Sequence, residues 1–391
     1  MINTHDWMTR EQALAALGIK AQTLYAYVSR NRIEVRSDPS RPHHSLYLAQ
    51  DVRSLAERRA RSRKPAAIAA GSMSWGEPSI VTGISTVDRG RLIYRGQDAI
   101  LLSDTATLES VAGLLWDIGR PVRFAVPDGV PADPFAALAA CIRQGPAETT
   151  SGDVRWIDEA RTAIGALAAA LGVRPGDQAL HAGLARCLQV NDELVDPFRR
   201  ALVLIADHEL NASTFATRVA ASTGAALPAC LMAGLCALSG PRHGQATALL
   251  ARLVGDCALT GVQTTVRDWR DRYHALPGFG HPLYPTGDVR ARALLAHLPV
   301  DPLMRELADA AEQATGCPPN VDFALLALAR ASRLPAQAPF KLFLLGRSIG
   351  WAAHAIEQRR QRTLIRPRAR YQGPIPASEP KAGSADHPPC R

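Results

Sequence analysis

The sequence predicts a mostly α-helical protein with more than one domain. Aromatic residues make up only 5% of the 391-residue chain, and alanine and leucine dominate the long segments, a composition that favours helix over sheet. After residue 96, apolar residues recur at i, i+3, i+4 spacing, and strands and helices do not alternate. A chain of this length exceeds one ordinary core, so two or three domains are expected.

Composition and charge narrow the class of protein. Hydrophobic residues at 47% and charged residues at 21% are typical of a soluble globular protein. No apolar run reaches the roughly 18 residues needed to span a bilayer, and the first residues lack a signal-peptide pattern. The seven cysteines are odd in number and lack C-x-x-C spacing, which suits a reducing cytoplasm and argues against a zinc site or disulfide framework. The net charge of +9 indicates anionic partners, either nucleic acid or small molecules with phosphate or carboxylate groups.

The N-terminal part of the chain predicts a small helix-turn-helix. Thr9 is placed to cap a first helix, and Gln12 supplies the reciprocal contact of a capping box. Gly18 ends this helix, and a second one is expected over residues 22–30, so that a tight turn joins two short helices. With the short extended segments that follow and a third helix from Asp51, the layout resembles the small winged helix-turn-helix of the MerR type.

Two functions remain open for residues 1–64. This segment holds 12 Lys or Arg against 6 Asp or Glu, most of the excess positive charge of the chain. As a DNA-binding domain, it would place its second helix in a major groove while Arg30, Arg32 and Arg36 contact phosphates. As a docking domain, it would not use DNA. The basic run 58–64 is typical of a solvated linker, and we place the domain boundary there.

The rest of the chain predicts a short hairpin followed by helices. Residues 83–96 alternate in polarity and are bounded by turns, which predicts the hairpin. Glycine and proline separate the helical segments after it, and no Gly-rich nucleotide loop follows a strand. The predicted helices cover residues 108–117, 136–143, 157–171, 198–206 and 215–227.

Two polar segments interrupt these helices in the middle of the chain. The first, D-H-E-L-N-A-S-T at 207–214, lies where an apolar helix stops. Its structural interpretation is a helix junction, in which Asp207 orients His208 and the following hydroxyls cap the next helix. The second, S-G-P-R-H-G at 239–244, places His243 at or near the first turn of a helix. The helix dipole disfavours an imidazolium there, so a neutral histidine that donates to a carbonyl oxygen is expected; alternatively, it only closes the junction.

Two more polar segments follow. The third, L-P-G-F-G-H-P-L-Y-P-T-G-D-V-R at 276–290, sets three prolines and three glycines around His281 and ends at Arg290. No helical or strand period survives in it, which predicts a rigid loop that aims a side chain; the alternative is a turn-rich connector. The fourth, P-P-N-V-D-F at 318–323, places Asp322 at the start of an apolar helix, where the structural alternative is an N-terminal cap.

Taken in order, the four segments resemble the motif set of the citrate synthase family. The resemblance extends to L-G-R-S-I-G-W-A-A-H at 345–354 and I-R-P-R-A-R-Y-Q-G at 365–373, and it covers roughly residues 70–375. It implies a two-domain helical fold, in which a smaller inserted domain closes over the substrate. The expected boundaries are 1–64 for the MerR-like helix-turn-helix domain, 65–244 and 340–391 for the large domain, and 245–339 for the small domain.

The resemblance implies condensation of acetyl-CoA with oxaloacetate and water to citrate and CoA. The methyl group of a thioester is a weak carbon acid, so a base must act while the carbonyl oxygen is stabilised. By resemblance, Asp322 is the base, His243 is the neutral donor to the enol oxygen, and His281 polarises the oxaloacetate ketone. A dianionic substrate needs cations in fork geometry. The family's substrate-binding positions fall on His208, Arg290, Arg347 and Arg366.

The resemblance also implies an assembly. Arg366 matches an arginine that reaches the site from the partner subunit, which makes a homodimer the expected state. Residues 276–284 are expected to shape the pocket for the CoA adenine. No metal or cofactor is expected beyond the acetyl-CoA substrate, and the expected location is the cytoplasm.

Departures from the family pattern leave the acyl-CoA open. After Asp322 the chain continues Phe-Ala-Leu-Leu where many relatives carry Phe-Tyr-Ser-Gly, and Arg242 and Gln245 occupy positions that are usually small or apolar. If these residues border the acyl pocket, propionyl-CoA is the alternative substrate and 2-methylcitrate the product. A third hypothesis is a DNA-binding metabolite sensor that uses the synthase body as a ligand pocket.

Overall fold

The computed structural model divides the chain into two units. One is Met1–Ile80 with Arg366–Arg391, and the other is Val81–Ile365. The predictions for Arg30, Arg32 and the end of the basic run at 63–64 lie outside the described residues. The structure describes residues 7–19, 21–29, 33–38, 41–62, 80–144, 152–177, 179–335, 337–367 and 373.

In the described part of the first unit, three helices accompany a three-stranded antiparallel sheet of order β1-β3-β2. The predicted capping box is present, because Thr9 Oγ accepts from the N–H of Gln12 and Gln12 Oε1 accepts from the N–H of Thr9. Gly18 ends the first helix in a left-handed conformation, as predicted. The elements are β1 (Trp7–Met8), α1 (Arg10–Leu17), α2 (Ala21–Ser29), β2 (Val35–Asp38), β3 (Arg41–Leu48) and α3 (Ala49–Ser62).

The second unit begins with a small antiparallel sheet. The predicted hairpin over 83–96 is confirmed as β4 (Ser85–Asp88) and β5 (Arg91–Tyr94). A third strand, β6 (Gln97–Asp98), pairs with β5 and was not predicted. Because β6 is only two residues long, it is too short to show the alternating pattern that reveals a strand.

The remaining described part of the second unit consists of helices joined by loops and turns. The five predicted helices are present with shifted ends, and the largest difference concerns residues 215–227. One helix ends at Ser222, Gly224 has a φ of 82°, and Leu227 starts the next helix, so the prediction joined two helices. The helices are α4 (Ala99–Thr105), α5 (Leu108–Leu115), α6 (Pro134–Gln144), α7 (Asp153–Ala170), α8 (Leu180–Cys187), α9 (Asp192–Leu204), α10 (Ala212–Ser222), α11 (Leu227–Leu238), α12 (Ala246–Thr260), α13 (Val262–Tyr273), α14 (Val289–Leu295), α15 (Pro302–Thr315), α16 (Val321–Ala331) and α17 (Ala338–Gln361).

Two large hydrophobic clusters form most of the described core of this unit, beside a third, small one of Ala137, Ala166 and Ala170. The larger is built around α17, whose Ile349 and Trp351 are fully buried. The smaller lies among α12, α13, α15 and α16 and is drawn from residues 250–327. Helix α16 serves both clusters, with Leu325 in the larger and Phe323 in the smaller. The helix that carries Asp322 therefore lies where the two cores meet.

Three further predictions from the sequence concern membrane-spanning helices, metal-binding clusters and disulfides. None of the helices in the described ranges is long and apolar enough to cross a membrane. Within those ranges, no three His, Cys, Asp or Glu side chains are grouped as a metal site would require. The described cysteines, all with free thiols, are Cys141, Cys187, Cys230, Cys236, Cys257 and Cys317.

Candidate active site

The structure gathers most of the predicted site residues into one cluster of rings and guanidinium groups. The rings of His208 and His281 lie edge to face with their centroids 5.0 Å apart, and each contacts the Tyr284 ring in a tilted arrangement. The Arg290 guanidinium lies 5.3 Å from the centre of the Tyr284 ring. Phe343 contacts both His243 and Arg347. Sequence reasoning missed both Tyr284 and Phe343, although each lies within four residues of a predicted site residue.

His208 is held in a strained turn after α9. The next residue, Glu209, has a φ of 51°, an uncommon conformation for a residue with a side chain. Its carboxylate accepts from the backbone N–H of Val87 at 2.6 Å, which fastens the turn to β4. His208 Nε2 lies 3.0 Å from the hydroxyl of Tyr284. Burial, helped by the charges of Arg290 and Arg347, lowers the pKa of His208 well below its usual value, so the ring is neutral.

Asp207 does not orient His208, contrary to the structural interpretation of its segment. Its carboxylate instead accepts from the hydroxyl of Ser85 and from Nε2 of His354, 3.1 Å away. His354 Nδ1 lies 3.0 Å from Nη1 of Arg218, which can only donate, so the ring carries its hydrogen on Nε2. Burial would raise the pKa of Asp207, but His354 and other neighbours hold it below its usual value. This buried network underlies the turn that holds His208.

His243 lies just before α12, in the turn at 241–245. Its Nε2 is 2.8 Å from the hydroxyl of Ser213 at the start of α10. Burial, with a smaller contribution from the charge of Arg347, lowers the pKa of His243 to about 4. The ring is therefore neutral at pH 7, as expected, but burial is the main cause and not the helix dipole on which the expectation rested.

The loop that precedes His281 is paired with the segment that precedes α16. The N–H of Gly280 donates to the carbonyl of Pro318, and the N–H of Asn320 donates to the carbonyl of Gly278, both at 2.9 Å. The Asn320 side chain adds a bond to the carbonyl of Gly280 at 3.1 Å. Gly278 and Gly280 both have positive φ, of 85° and 69°, which only glycine adopts without strain. The loop is thus rigid and is fixed to the helix that carries Asp322.

The His281 ring is held in one protonation state. Its Nδ1 accepts from the backbone N–H of Leu283 at 3.2 Å, so the hydrogen of the neutral ring lies on Nε2. Burial and the nearby Arg290 lower the pKa of His281 to about 4. At pH 7 the ring is therefore a neutral donor, which is the form that can polarise a ketone.

Two buried arginines differ in how their charge is balanced. Arg290 is 2% exposed and is held by Asp288, with Nε 2.9 Å from Oδ1 and Nη2 2.7 Å from Oδ2. Arg347 is 1% exposed and donates from Nε to the carbonyl of Ile205 at 2.9 Å. Among the described residues Arg347 has no ion-pair partner, and burial lowers its pKa to about 10. A buried cation without a carboxylate is costly, so this site fits an anionic ligand.

The pairing with Asp288 limits how Arg290 could bind a substrate carboxylate. Asp288 already occupies two of its three guanidinium nitrogens, and only Nη1 has no described partner. Asp288 also accepts from the backbone N–H of Val321 at 3.0 Å, which links Arg290 to the start of α16. Sequence reasoning missed Asp288, although a carboxylate two residues before an arginine is a usable local signal.

Asp322 is the second residue of α16 and does not cap it, contrary to the structural alternative. Asn320 is the cap, since its Oδ1 accepts from the N–H of Asp322 at 3.0 Å and of Phe323 at 3.4 Å. Burial raises the pKa of Asp322 to about 6, against the opposing charges of Arg290 and Arg347. No described residue donates a hydrogen bond to the Asp322 carboxylate, so this group can accept a proton from a ligand.

Two predicted contributions stay predictions. Arg366 is an exposed residue of the first unit, and its placement in the site from a partner subunit is untested. The adenine pocket expected at residues 276–284 is likewise untested.

Comparison with known proteins gives the family. The family model described as the C-terminal domain of citrate synthase matches residues 132–368. The chain belongs to the citrate synthase family. Among relatives of this family member, the citrate synthase of Haloferax volcanii is 31% identical over 343 residues, covering 73% of this chain and 90% of that protein.

Two further relatives match only in part. The putative citrate synthase 2 of Mycobacterium tuberculosis is 39% identical over 189 residues, or 45% of this chain and 51% of that protein. In this comparison the chain spans about half the length of the relative. The 2-methylcitrate synthase 1 of Corynebacterium glutamicum is 32% identical over 202 residues, covering 46% of this chain and 50% of that protein.

Solved structures agree with the fold of the family. Citrate synthase from Thermotoga maritima superposes with a TM-score of 0.66 at 24% identity, covering 79% of this chain and 97% of that one. Citrate synthase from Thermoplasma acidophilum, a ternary complex with carboxymethyl coenzyme A and oxaloacetate, gives a TM-score of 0.62 at 25% identity, covering 78% and 95%. The mostly helical citrate synthase fold predicted from the sequence is confirmed.

Proposed function

We propose that this protein condenses acetyl-CoA with oxaloacetate and water to give citrate and CoA. The proposal rests on the buried Arg347, which has no ion-pair partner among the described residues and lies beside neutral histidines and a carboxyl group of raised pKa. Family membership supports it, as does the related Thermoplasma complex with oxaloacetate and a coenzyme A derivative. Purified protein is expected to release free CoA from acetyl-CoA only when oxaloacetate is present. Absence of release with any short acyl-CoA would contradict the proposal.

Oxaloacetate is proposed to bind through its carboxylates. Arg347 offers Nη1 and Nη2, which have no described partner, so it can bind one carboxylate in a fork. Arg290 contributes Nη1 and its positive charge, while Asp288 fixes its orientation. His208 adds a neutral ring beside His281, in line with its expected substrate-binding role.

Condensation is proposed to use three residues. Asp322 removes a proton from the methyl group of acetyl-CoA, and His243 donates a hydrogen bond to the enol oxygen that forms. The methyl carbon then attacks the ketone carbon of oxaloacetate, and the new alkoxide takes its proton from His281 Nε2. The proton that Asp322 removed returns to His281 through water, so that both groups regain their starting state. The product is citryl-CoA, and water cleaves its thioester to release citrate and CoA.

We propose acetyl-CoA rather than propionyl-CoA as the substrate. The departures from the family pattern after Asp322 lie in the cores, because Ala324 and Leu325 are fully buried and Leu326 is 5% exposed. Arg242 and Gln245 are exposed. These positions therefore give no reason for an enlarged acyl pocket.

A comparison of kcat/KM for the two thioesters tests this substrate choice. We expect acetyl-CoA to be preferred about 10- to 200-fold, because one methylene that does not fit costs roughly 1–3 kcal/mol. An equal or reversed ratio would instead assign 2-methylcitrate synthesis, the activity named for the Corynebacterium relative.

We propose a homodimer in which Arg366 completes the site of the partner subunit. The exposure of Arg366 supports the proposal, as does the Arg-Pro-Arg match to the family. Arg366→Ala and Asp322→Asn are each expected to be nearly inactive as pure proteins. Mixed and reassociated, they should recover about a quarter of wild-type activity, because half of the dimers then carry one intact site. No recovery despite subunit exchange would place Arg366 in its own site or outside it.

We propose that residues 1–64, within the first unit, form a MerR-like helix-turn-helix domain able to bind DNA. The exposed face of α2 carries Gln22 and Tyr25 and no acidic side chain, which suits approach to a phosphate backbone. Arg36 lies with its guanidinium 4.1 Å from the centre of the Trp7 ring, so part of its surface is used within the unit.

DNA binding can be measured by fluorescence anisotropy with a pool of random-sequence duplexes at low salt. We expect the protein to bind these duplexes with an affinity that falls steeply as the salt concentration rises. The Arg30→Ala/Arg32→Ala variant should not bind them. The matched control is Arg333→Ala/Arg360→Ala, which removes the same charge from the second unit. No binding at low salt would leave the docking interpretation for residues 1–64.

We propose the domain division expected from the sequence, with a small domain at 245–339. The separate hydrophobic cluster drawn from residues 250–327 supports it.

We also propose that the protein is a cytoplasmic enzyme that needs no metal or cofactor beyond acetyl-CoA. The free thiols of the described cysteines support the location, and a set of acidic and basic side chains that fits the chemistry supports the absence of a metal or cofactor. Dialysis against a chelator is expected to leave CoA release unchanged.

A further inference from the structure

The hydroxyl of Ser213 lies within hydrogen-bond distance of three side chains. Its Oγ is 2.7 Å from Oδ1 of Asn211, 2.8 Å from Nε2 of His243 and 3.1 Å from Nε1 of Trp351. Ser213 and Trp351 are both fully buried. A hydroxyl has one hydrogen and two lone pairs, so the three contacts cannot all have the same direction.

The Asn211 amide has one possible orientation. Its Oδ1 accepts from the backbone N–H groups of Ser213 at 3.1 Å and Thr214 at 3.2 Å, where it caps α10. Its Nδ2 donates to the carbonyl of His208 at 3.4 Å. The atom that faces the Ser213 hydroxyl is therefore an acceptor, and the single hydroxyl hydrogen must lie between Ser213 and Asn211.

The two lone pairs of Ser213 Oγ then face Trp351 and His243. An indole N–H can only donate, so Trp351 occupies one lone pair. The other faces His243 Nε2, which must carry a hydrogen for the 2.8 Å contact to be a bond. His243 is neutral at pH 7 because burial lowers its pKa to about 4, so it has one ring hydrogen and its Nδ1 is bare.

We infer that Asn211 is a positioning residue that, with Trp351, holds His243 in its Nε2–H tautomer in the unliganded protein. Nδ1 has no hydrogen-bond partner among the described residues, so it is the nitrogen left to meet a ligand. In this tautomer Nδ1 is an acceptor and cannot donate to an enol oxygen.

The consequence for the reaction rests on the proposed function. When both substrates bind, the Ser213 hydroxyl has to turn from Asn211 to His243 Nε2. The ring gives up its Nε2 proton to water and takes one from water at Nδ1, so that its charge is unchanged. His243 is then the Nδ1–H donor that enolisation requires.

The test uses the full-length protein labelled with ¹⁵N-histidine. Long-range ¹H–¹⁵N correlation spectra distinguish the two tautomers, and His243→Gln identifies the His243 signals by their loss. The unliganded wild type is expected to show a protonated Nε2 and a bare Nδ1 for His243. A protonated Nδ1 with a bare Nε2 in the unliganded protein would overturn the inference.

The Asn211→Gly variant tests whether Asn211 determines the tautomer of His243. It removes the competing acceptor, and glycine replaces asparagine at a helix cap at little cost in stability. Because Trp351 still donates to Ser213, Nε2 is the acceptor that remains for the hydroxyl hydrogen among its described side-chain contacts, and His243 should shift to the Nδ1–H form. An unchanged Nε2–H signal would refute the role of Asn211. Asn191→Gly, at the start of α9, is the matched control and should leave the His243 signals unchanged.

Adding oxaloacetate and carboxymethyl coenzyme A tests the consequence separately. We expect the wild-type His243 signals to change to the Nδ1–H pattern when both are bound. Retention of Nε2–H in that complex would overturn the proposed switch. The CoA-release assay tests the proposed function separately, because the tautomer of His243 in the unliganded protein does not depend on which reaction the protein catalyses.

Discussion

Asp322→Asn is expected to lower kcat for CoA release by about 10²–10⁴-fold, the usual contribution of a general base. The amide fills the same space and leaves Asn320 as the helix cap, but it cannot accept a proton. The KM for oxaloacetate should change little, because Arg347 remains in place. A steady-state thiol-release assay at saturating substrates measures the effect, and near-normal turnover would remove Asp322 from the base role.

The pH dependence follows from the pKa of Asp322, which burial raises to about 6. The ionised carboxylate is the active form, so kcat should fall as the pH drops through about 6 and level off above it.

The ionisation of Asp322 affects stability in the opposite direction, because the charged form that is active is the form that burial disfavours. The folded-state pKa exceeds the unfolded value of about 3.9, so this group destabilises the fold as pH rises from about 4 to 6, by about 3 kcal/mol at pH 7.

This linkage provides a control for Asp322→Asn. The variant should be more stable than the wild type at pH 7, and the difference in the free energy of unfolding should vanish below about pH 4. Loss of turnover together with a gain in stability cannot come from misfolding. A variant that is inactive and also less stable at pH 7 would contradict the assignment.

Arg347→Gln is expected to raise the KM for oxaloacetate by about 30-fold to more than 10³-fold. Losing one member of a buried, hydrogen-bonded charge pair costs roughly 2–5 kcal/mol of binding, and 1.4 kcal/mol is about tenfold. The KM for acetyl-CoA should change far less. Initial rates over a matrix of both substrates, supported by calorimetry with oxaloacetate alone, measure the split.

Arg360→Gln is the matched control for Arg347. It lies on the same helix, α17, and pairs with Asp153 at 2.9 Å on the exposed side. Its KM for oxaloacetate should equal that of the wild type. If Arg347→Gln raised only the KM for acetyl-CoA, the anion that Arg347 binds would belong to the thioester and the proposed substrate geometry would be wrong.

The parts of the site that the sequence could predict are those with local causes. The glycines and prolines around His281 predicted a rigid loop, and the positive φ of Gly278 and Gly280 explains that pattern. The capping box of α1 was also predictable, because both partners lie within four residues. Helix ends were less accurate, as at residues 215–227, where an apolar spacing continued across a break.

The parts that could not be predicted depend on distant contacts. Asp207 and His354 pair across 147 positions, and Ser213 and Trp351 across 138, so no local spacing reveals either bond. The neutral charge state of His243 was expected, but its main cause, burial, is visible only in the folded chain. That Arg347 has no ion-pair partner among the described residues likewise depends on tertiary packing, whereas the pairing of Arg290 with Asp288 is local.

The central claim is that this protein joins the methyl carbon of acetyl-CoA to oxaloacetate. The most direct measurement is ¹³C NMR of the products formed from oxaloacetate and acetyl-CoA labelled at the methyl carbon. The label is expected in a methylene group of citrate, and its appearance should be abolished in Asp322→Asn. Label found only in free acetate would show that the protein hydrolyses the thioester without forming a carbon–carbon bond, which would contradict the claim.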